Sequence, residues 1–135
     1  MAQVHERIFH ACKRSGRNEA QVTLMAVSKT VEPGRITEAY AAGLRVFGEN
    51  RVQEFEGKSA ALSELKDAEW RLIGHLQSNK VKKAAELFHA VDSVDSLRLA
   101  EKLNQSAAEA VEFRSSRRSH AFASFQSRLT VSGET

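Results

Sequence analysis

Residues 22–27, Val22-Thr23-Leu24-Met25-Ala26-Val27, form a continuous apolar run of strand length with no polar-apolar alternation. A run of this kind predicts a strand covered on both faces, as in a parallel sheet. It stops at Ser28-Lys29-Thr30, so a lysine stands at the carboxyl end of the first strand. Upstream, residues 3–15 read as a helix with Val4, Ile8, Ala11 and Cys12 on one face, ended by Gly16. Downstream, Pro33-Gly34 marks a loop, and Ile36, Ala39, Tyr40 and Leu44 give a helical stripe through 35–42 closed by Gly43.

The same alternation continues along the chain. A short strand is expected at Leu44–Phe47, a turn at Gly48-Glu49-Asn50, and a helix over about 50–66 with Val52, Phe55, Ala60 and Leu62 toward a core. Trp70–Ile73 predicts a third strand ending at Gly74-His75, followed by a helix from Asn79 to Leu87. Ala90-Val91 is a fourth strand and 96–110 a fourth helix of the series. Strand and helix alternating over short connections build a parallel sheet with right-handed crossovers. The loops after the strands then share one edge, the edge at which a doubly wound sheet or a (β/α)8 barrel binds ligands. Lys29, Asn50, His75 to Lys80 and Asp92 to Asp95 all fall in those loops.

Chemistry at these positions has a functional and an ordinary reading in each case. A lysine at the end of a buried strand must be desolvated or given a polar site; desolvation yields a neutral amine able to form a Schiff base with an aldehyde. Spacing alone favours the plainer reading, in which Lys29 extends from the strand end into solvent. Asn50 could bond a ligand hydroxyl or cap the next helix. His75 could face a ligand ring or be structural. Lys80, Lys82 and Lys83 open a helix, where a phosphate would be attracted, or form a solvated face. Asp92 and Asp95 suggest paired carboxylates, with no third ligand at metal spacing. No P-loop, GxGxxG or GxSxG element occurs.

Composition narrows the classes. With 135 residues, 41% hydrophobic and 27% charged, the chain reads as one ordinary globular domain. Cys12 is the single cysteine, which excludes an intramolecular disulfide and a CxxC zinc site. The absence of a long apolar run and of a secretory signal leads to an expected cytoplasmic site with no membrane partner. The pI near 9.2 rests on a formal charge of only +3. Residues 111–135 hold four arginines and two glutamates, leaving +1 for residues 1–110, so nucleic-acid binding through Arg114, Arg117 and Arg118 has little charge and no recognition fold behind it.

Three segments taken together carry a resemblance: Ala26-Val27-Ser28-Lys29-Thr30, Phe47-Gly48-Glu49-Asn50-Arg51-Val52-Gln53-Glu54, and Trp70 to Lys80, with Val91-Asp92-Ser93-Val94-Asp95 as a fourth. In order and spacing they resemble the pyridoxal phosphate homeostasis proteins over roughly residues 3–110. The resemblance implies a barrel related to the N-terminal domain of alanine racemase, with pyridoxal 5′-phosphate bonded as a Schiff base to Lys29 and bordered by Asn50 and His75. It also implies a role in holding and delivering the cofactor, with PLP-dependent apo-enzymes as recipients, and no turnover of its own. A racemase would need an acid/base on the other face of the cofactor, and the sole tyrosine, Tyr40, lies in an expected helix.

One departure qualifies these expectations. A full barrel needs eight βα units, and about four are present, giving a partial (β/α)8 TIM barrel over 1–110. Residues 111–135 form an Arg/Ser-rich stretch expected to be irregular, with Thr130 to Glu134 faintly echoing the family's fifth strand end. A truncated or frame-disturbed gene product, inactive as a fragment, is therefore the competing expectation.

Overall fold

The computed structural model describes residues 2–115. The helix α1 (Ala2–Ser15) is followed by four repeats of strand and helix: β1 (Met25–Val27) and α2 (Pro33–Ala41), β2 (Val46–Glu49) and α3 (Val52–Ser59), β3 (Glu69–Leu72) and α4 (Val81–Leu87), β4 (Ala90–Val91) and α5 (Leu97–Ser115). The four strands make one parallel sheet in the order β1-β2-β3-β4, with Ala26 level with Phe47, Phe47 with Trp70, and Leu72 with Val91. The order follows the chain without reversal, so these four strands contain no switch point of the kind that marks a doubly wound sheet.

Alternation along each strand divides the sheet into two faces. Ala26, Phe47, Trp70, Leu72 and Val91 lie on the helix side, where Phe47 stacks on Trp70 and Phe55 of α3 bridges Trp70 and Phe88 at centroid distances of 4.7 and 5.0 Å. Helices α4 and α5 pack together and bury Ala84, Ala85, Leu99 and Leu103. The other face carries Met25, Val27, Arg71 and Ile73. The expected double coverage of the first strand is therefore corrected. Val22 to Leu24 do not join the sheet, and Val27 is 52% exposed, because β1 pairs on one side only and no layer of described residues covers its second face.

Several boundaries move for physical reasons. Helix α2 begins at Pro33, whose missing N–H and fixed φ suit the first helical position, so Pro33-Gly34 is helix rather than loop. The expected turn at Gly48-Glu49 is the end of β2. The helix expected over 50–66 is α3 followed by a single 3-10 turn at Ala60–Leu62, with Ala60 exposed while Val52, Phe55 and Leu62 are buried. Of the stripe on α1, only Cys12 is buried. Helix α5 runs through Ser115, five residues past the expected end at 110. The readings of Arg117, Arg118 and Thr130 to Glu134 fall outside the described residues.

Candidate functional site

Parallel pairing brings the carboxyl ends of β1, β2 and β3 side by side. Ser28 extends the ladder through its N–H to the Gly48 carbonyl at 2.9 Å, and Ile73 does so to the Glu49 carbonyl at 2.9 Å. Lys29, Asn50 and His75 follow these ends directly, so the three residues expected from sequence share one edge of the sheet. Lys29 sits in a turn and is exposed, so the described residues do not bury its side chain.

Asn50 and His75 are held together by a close backbone approach. A Cβ on Gly74 would lie 2.1 Å from the Asn50 carbonyl oxygen, a distance at which only glycine lets the two loops touch. Between them opens a cavity of about 450 Å3 lined by Asn50, Arg51, Gly74, His75, Gln77 and Lys80 among others, within the size range of small-ligand sites. Lys29 does not line it. Asn50 is not a helix cap: Arg51 occupies that position of α3 and no side chain caps it.

The remaining charged candidates are sorted by their partners. Asp92 is committed to Arg71, which donates Nε–H to Oδ2 at 2.8 Å and Nη2–H to Oδ1 at 2.5 Å and also meets Glu69 at 3.0 Å. The Asp92 hydrogen bonds, opposed by burial, raise the Arg71 guanidinium above its usual range. Asp95 lies 3.7 Å from His75 Nδ1 at the surface, so Asp92 and Asp95 do not act as paired carboxylates. The lysine cluster divides as well: Lys80 borders the cavity, while Lys83 is tied to Glu56 and Glu86 at 3.2 and 3.3 Å. Tyr40 closes α2 near the opposite edge of the sheet, with the Arg45 guanidinium 4.0 Å over its ring.

A group absent from the sequence-based expectations lies beneath Lys29. Glu49 is fully buried on the helix side of β2 and meets Lys58 Nζ at 2.8 Å, while Ser28 Oγ donates to Glu49 Oε1 at 2.5 Å. Lys58 also donates to the carbonyls of Ser28 at 2.9 Å and Val31 at 3.5 Å. Glu54, one turn earlier on α3, accepts the Thr30 N–H and lies 3.4 Å from Lys58 Nζ. Glu49 Oε2 has no hydrogen-bond partner among the described residues. The i, i+4 spacing of Glu54 and Lys58 was a visible signal; Glu49 was concealed by its place in an apparent turn.

The Thr30 N–H, opposed by burial and reinforced by the nearby Lys58 and Arg51, holds the Glu54 carboxyl below its ordinary 4.5. A depressed carboxylate pKa contributes stability that is complete above the unfolded value and is lost as pH falls through the folded value. The urea midpoint is expected to drop below about pH 4.5 by more in the wild type than in Glu54→Gln. Identical acid profiles would remove this contribution.

No protein-family model matches the chain. It is 48% identical over 105 residues to the pyridoxal phosphate homeostasis protein of Pseudomonas aeruginosa, covering 78% of this chain and 45% of that one. Against the protein of the same name from Aquifex aeolicus it is 47% identical over 107 residues, covering 79% and 46%. Among solved structures, PipY of Synechococcus elongatus with PLP bound matches with a TM-score of 0.66 and 48% identity, covering 76% of this chain and 48% of PipY. The chain thus spans about half the length of the curated relatives it matches. Over most of its own length and about half of theirs, it is a relative of the pyridoxal phosphate homeostasis proteins.

Proposed function

We propose that this chain binds pyridoxal 5′-phosphate through Lys29, as part of a (β/α) barrel of the alanine racemase N-terminal type that serves cytoplasmic cofactor homeostasis. The observation that carries the reading is the placement of Lys29, Asn50 and His75 at adjacent strand ends on one edge, in a chain 48% identical to a PLP-bound relative. The residues present fit the cofactor's chemistry. Lys29 offers an exposed primary amine, and at the ends of the next two strands a cavity is bordered by the Asn50 amide, the His75 imidazole and the Lys80 amine. Bound there, the cofactor would supply a reactive aldehyde and an electron-withdrawing ring. Lys29 Nζ would hold it as a Schiff base, a C=N bond made with loss of one water. Asn50 and His75 would border the ring, with Gly74 keeping their loops in contact.

Holding and release to PLP-dependent apo-enzymes suits this edge better than racemisation. The sole tyrosine, Tyr40, sits by the opposite edge under Arg45, so it is not placed to move a proton at the cofactor. The expected result is a visible absorption band when the chain is incubated with pyridoxal phosphate, lost in Lys29→Ala. A wild-type chain without that band, or a Lys29→Ala chain that keeps it, contradicts the proposal. Exchange of the α-deuterium of alanine catalysed by the loaded chain would instead support a racemase.

A further inference from the structure

The geometry points to Glu54 and Lys58 as positioning residues for the Lys29 amine, acting through the backbone on both sides of it. This role rests on the reading of Lys29 as the residue that bonds the cofactor. Residue 28 is held by the Lys58 hydrogen bond to its carbonyl and by its own hydroxyl on Glu49. Residue 30 is held by the Thr30 N–H on Glu54, and residue 31 by its carbonyl on Lys58 and its N–H on the Ser28 carbonyl at 3.1 Å. Lys29 lies between these attachments with its side chain exposed.

Two observations separate this arrangement from ordinary packing. Thr30 has φ 61, and among the described residues it is the only non-glycine residue with a positive φ. A β-branched residue adopts that conformation only where its surroundings enforce it, and such outliers gather at functional sites. The conformation occurs immediately after Lys29, at the residue whose N–H Glu54 captures. Second, a buried ion pair is a poor way to stabilise a core that an apolar pair would fill as well. Here Lys58 also donates to two loop carbonyls, and Glu49 Oε2 is left without a partner among the described residues. The network is organised around the segment that carries Lys29.

The test uses the full chain with Glu54→Ala and Glu54→Gln, avoiding the buried pair. Two rates are read in each: amide exchange at Thr30, and accumulation of borohydride-trapped pyridoxal phosphate on Lys29, with exposed Lys13 and Lys66 as internal controls. Glu54→Ala is expected to speed Thr30 exchange and slow trapping on Lys29 by about tenfold, as befits loss of a hydrogen bond to a charged acceptor. Trapping on Lys13 and Lys66 stays at wild-type rates. Glu54→Gln, whose amide oxygen can still accept the Thr30 N–H, restores most of the Lys29 rate. Faster Thr30 exchange with unchanged trapping on Lys29 makes the contact purely structural and overturns the inference, as does unchanged exchange. A wild type in which Lys29 is never trapped defeats the cofactor reading and this inference together, whereas a wild-type chain trapped on Lys29 and a variant trapped equally fast defeat this inference alone.

Discussion

Lys58→Met is expected to lower stability by about 3–5 kcal/mol, the cost of leaving one partner of a buried ion pair uncompensated. Methionine fills the same path through the core but donates nothing. Glu49, fully buried, would keep only the Ser28 hydroxyl on one carboxylate oxygen. The carbonyls of Ser28 and Val31 would lose the Lys58 donor at the same time. A small domain commonly has a total stability of about 5–15 kcal/mol, so the urea midpoint should move far toward zero. The companion variant Glu49→Leu with Lys58→Met removes both charges and should recover most of the loss, because an apolar pair of similar volume is tolerated in such positions. A single variant with an unchanged midpoint would show that the pair is solvated in solution.

Gly74→Ala should also be damaging, to a smaller extent and by a different route. The added methyl would meet the carbonyl oxygen, carbonyl carbon and Cα of Asn50, all backbone atoms that no rotamer change can move. One of the two loops must retreat, at an overpacking cost of about 1–3 kcal/mol. The retreat also opens the cavity between Asn50 and His75. The same methyl at Gly34 or Gly57 meets nothing within 4 Å, so alanine there provides the control. A Gly74→Ala chain with wild-type stability and wild-type cofactor response would show that the two loops are not in contact in solution.

The succession of elements was legible because each strand and helix signals itself locally. Trp70 and Leu72, Phe47, and the Ile36 stripe define strands and helices through their spacing, and Trp70, Leu72, Phe47 and Ile36 are buried in the structure. That Lys29, Asn50 and His75 would share one edge of the sheet was likewise legible, since residues just past successive parallel strands fall at the same end of the sheet. What escaped detection depended on contacts between distant segments. Glu49 reads as a turn residue beside Gly48, and only Lys58, nine positions on and a helix away, explains its burial in β2. Asp92 reads as a partner for Asp95 by proximity in the chain, whereas Arg71 on the neighbouring strand claims it. The length of β1 was overestimated because an apolar run reports the wish to be covered, and the cover over Val27 is not among the described residues.

The most direct measurement of the central claim is chemical. Pyridoxal phosphate is added to the full chain, the C=N bond is reduced with borohydride, and the modified lysine is located by mass spectrometry of the peptides. The pyridoxyl group is expected on Lys29, with the other lysines modified only at the level of an unfolded control. Modification spread evenly over the exposed lysines, or concentrated on a lysine other than Lys29, would contradict it.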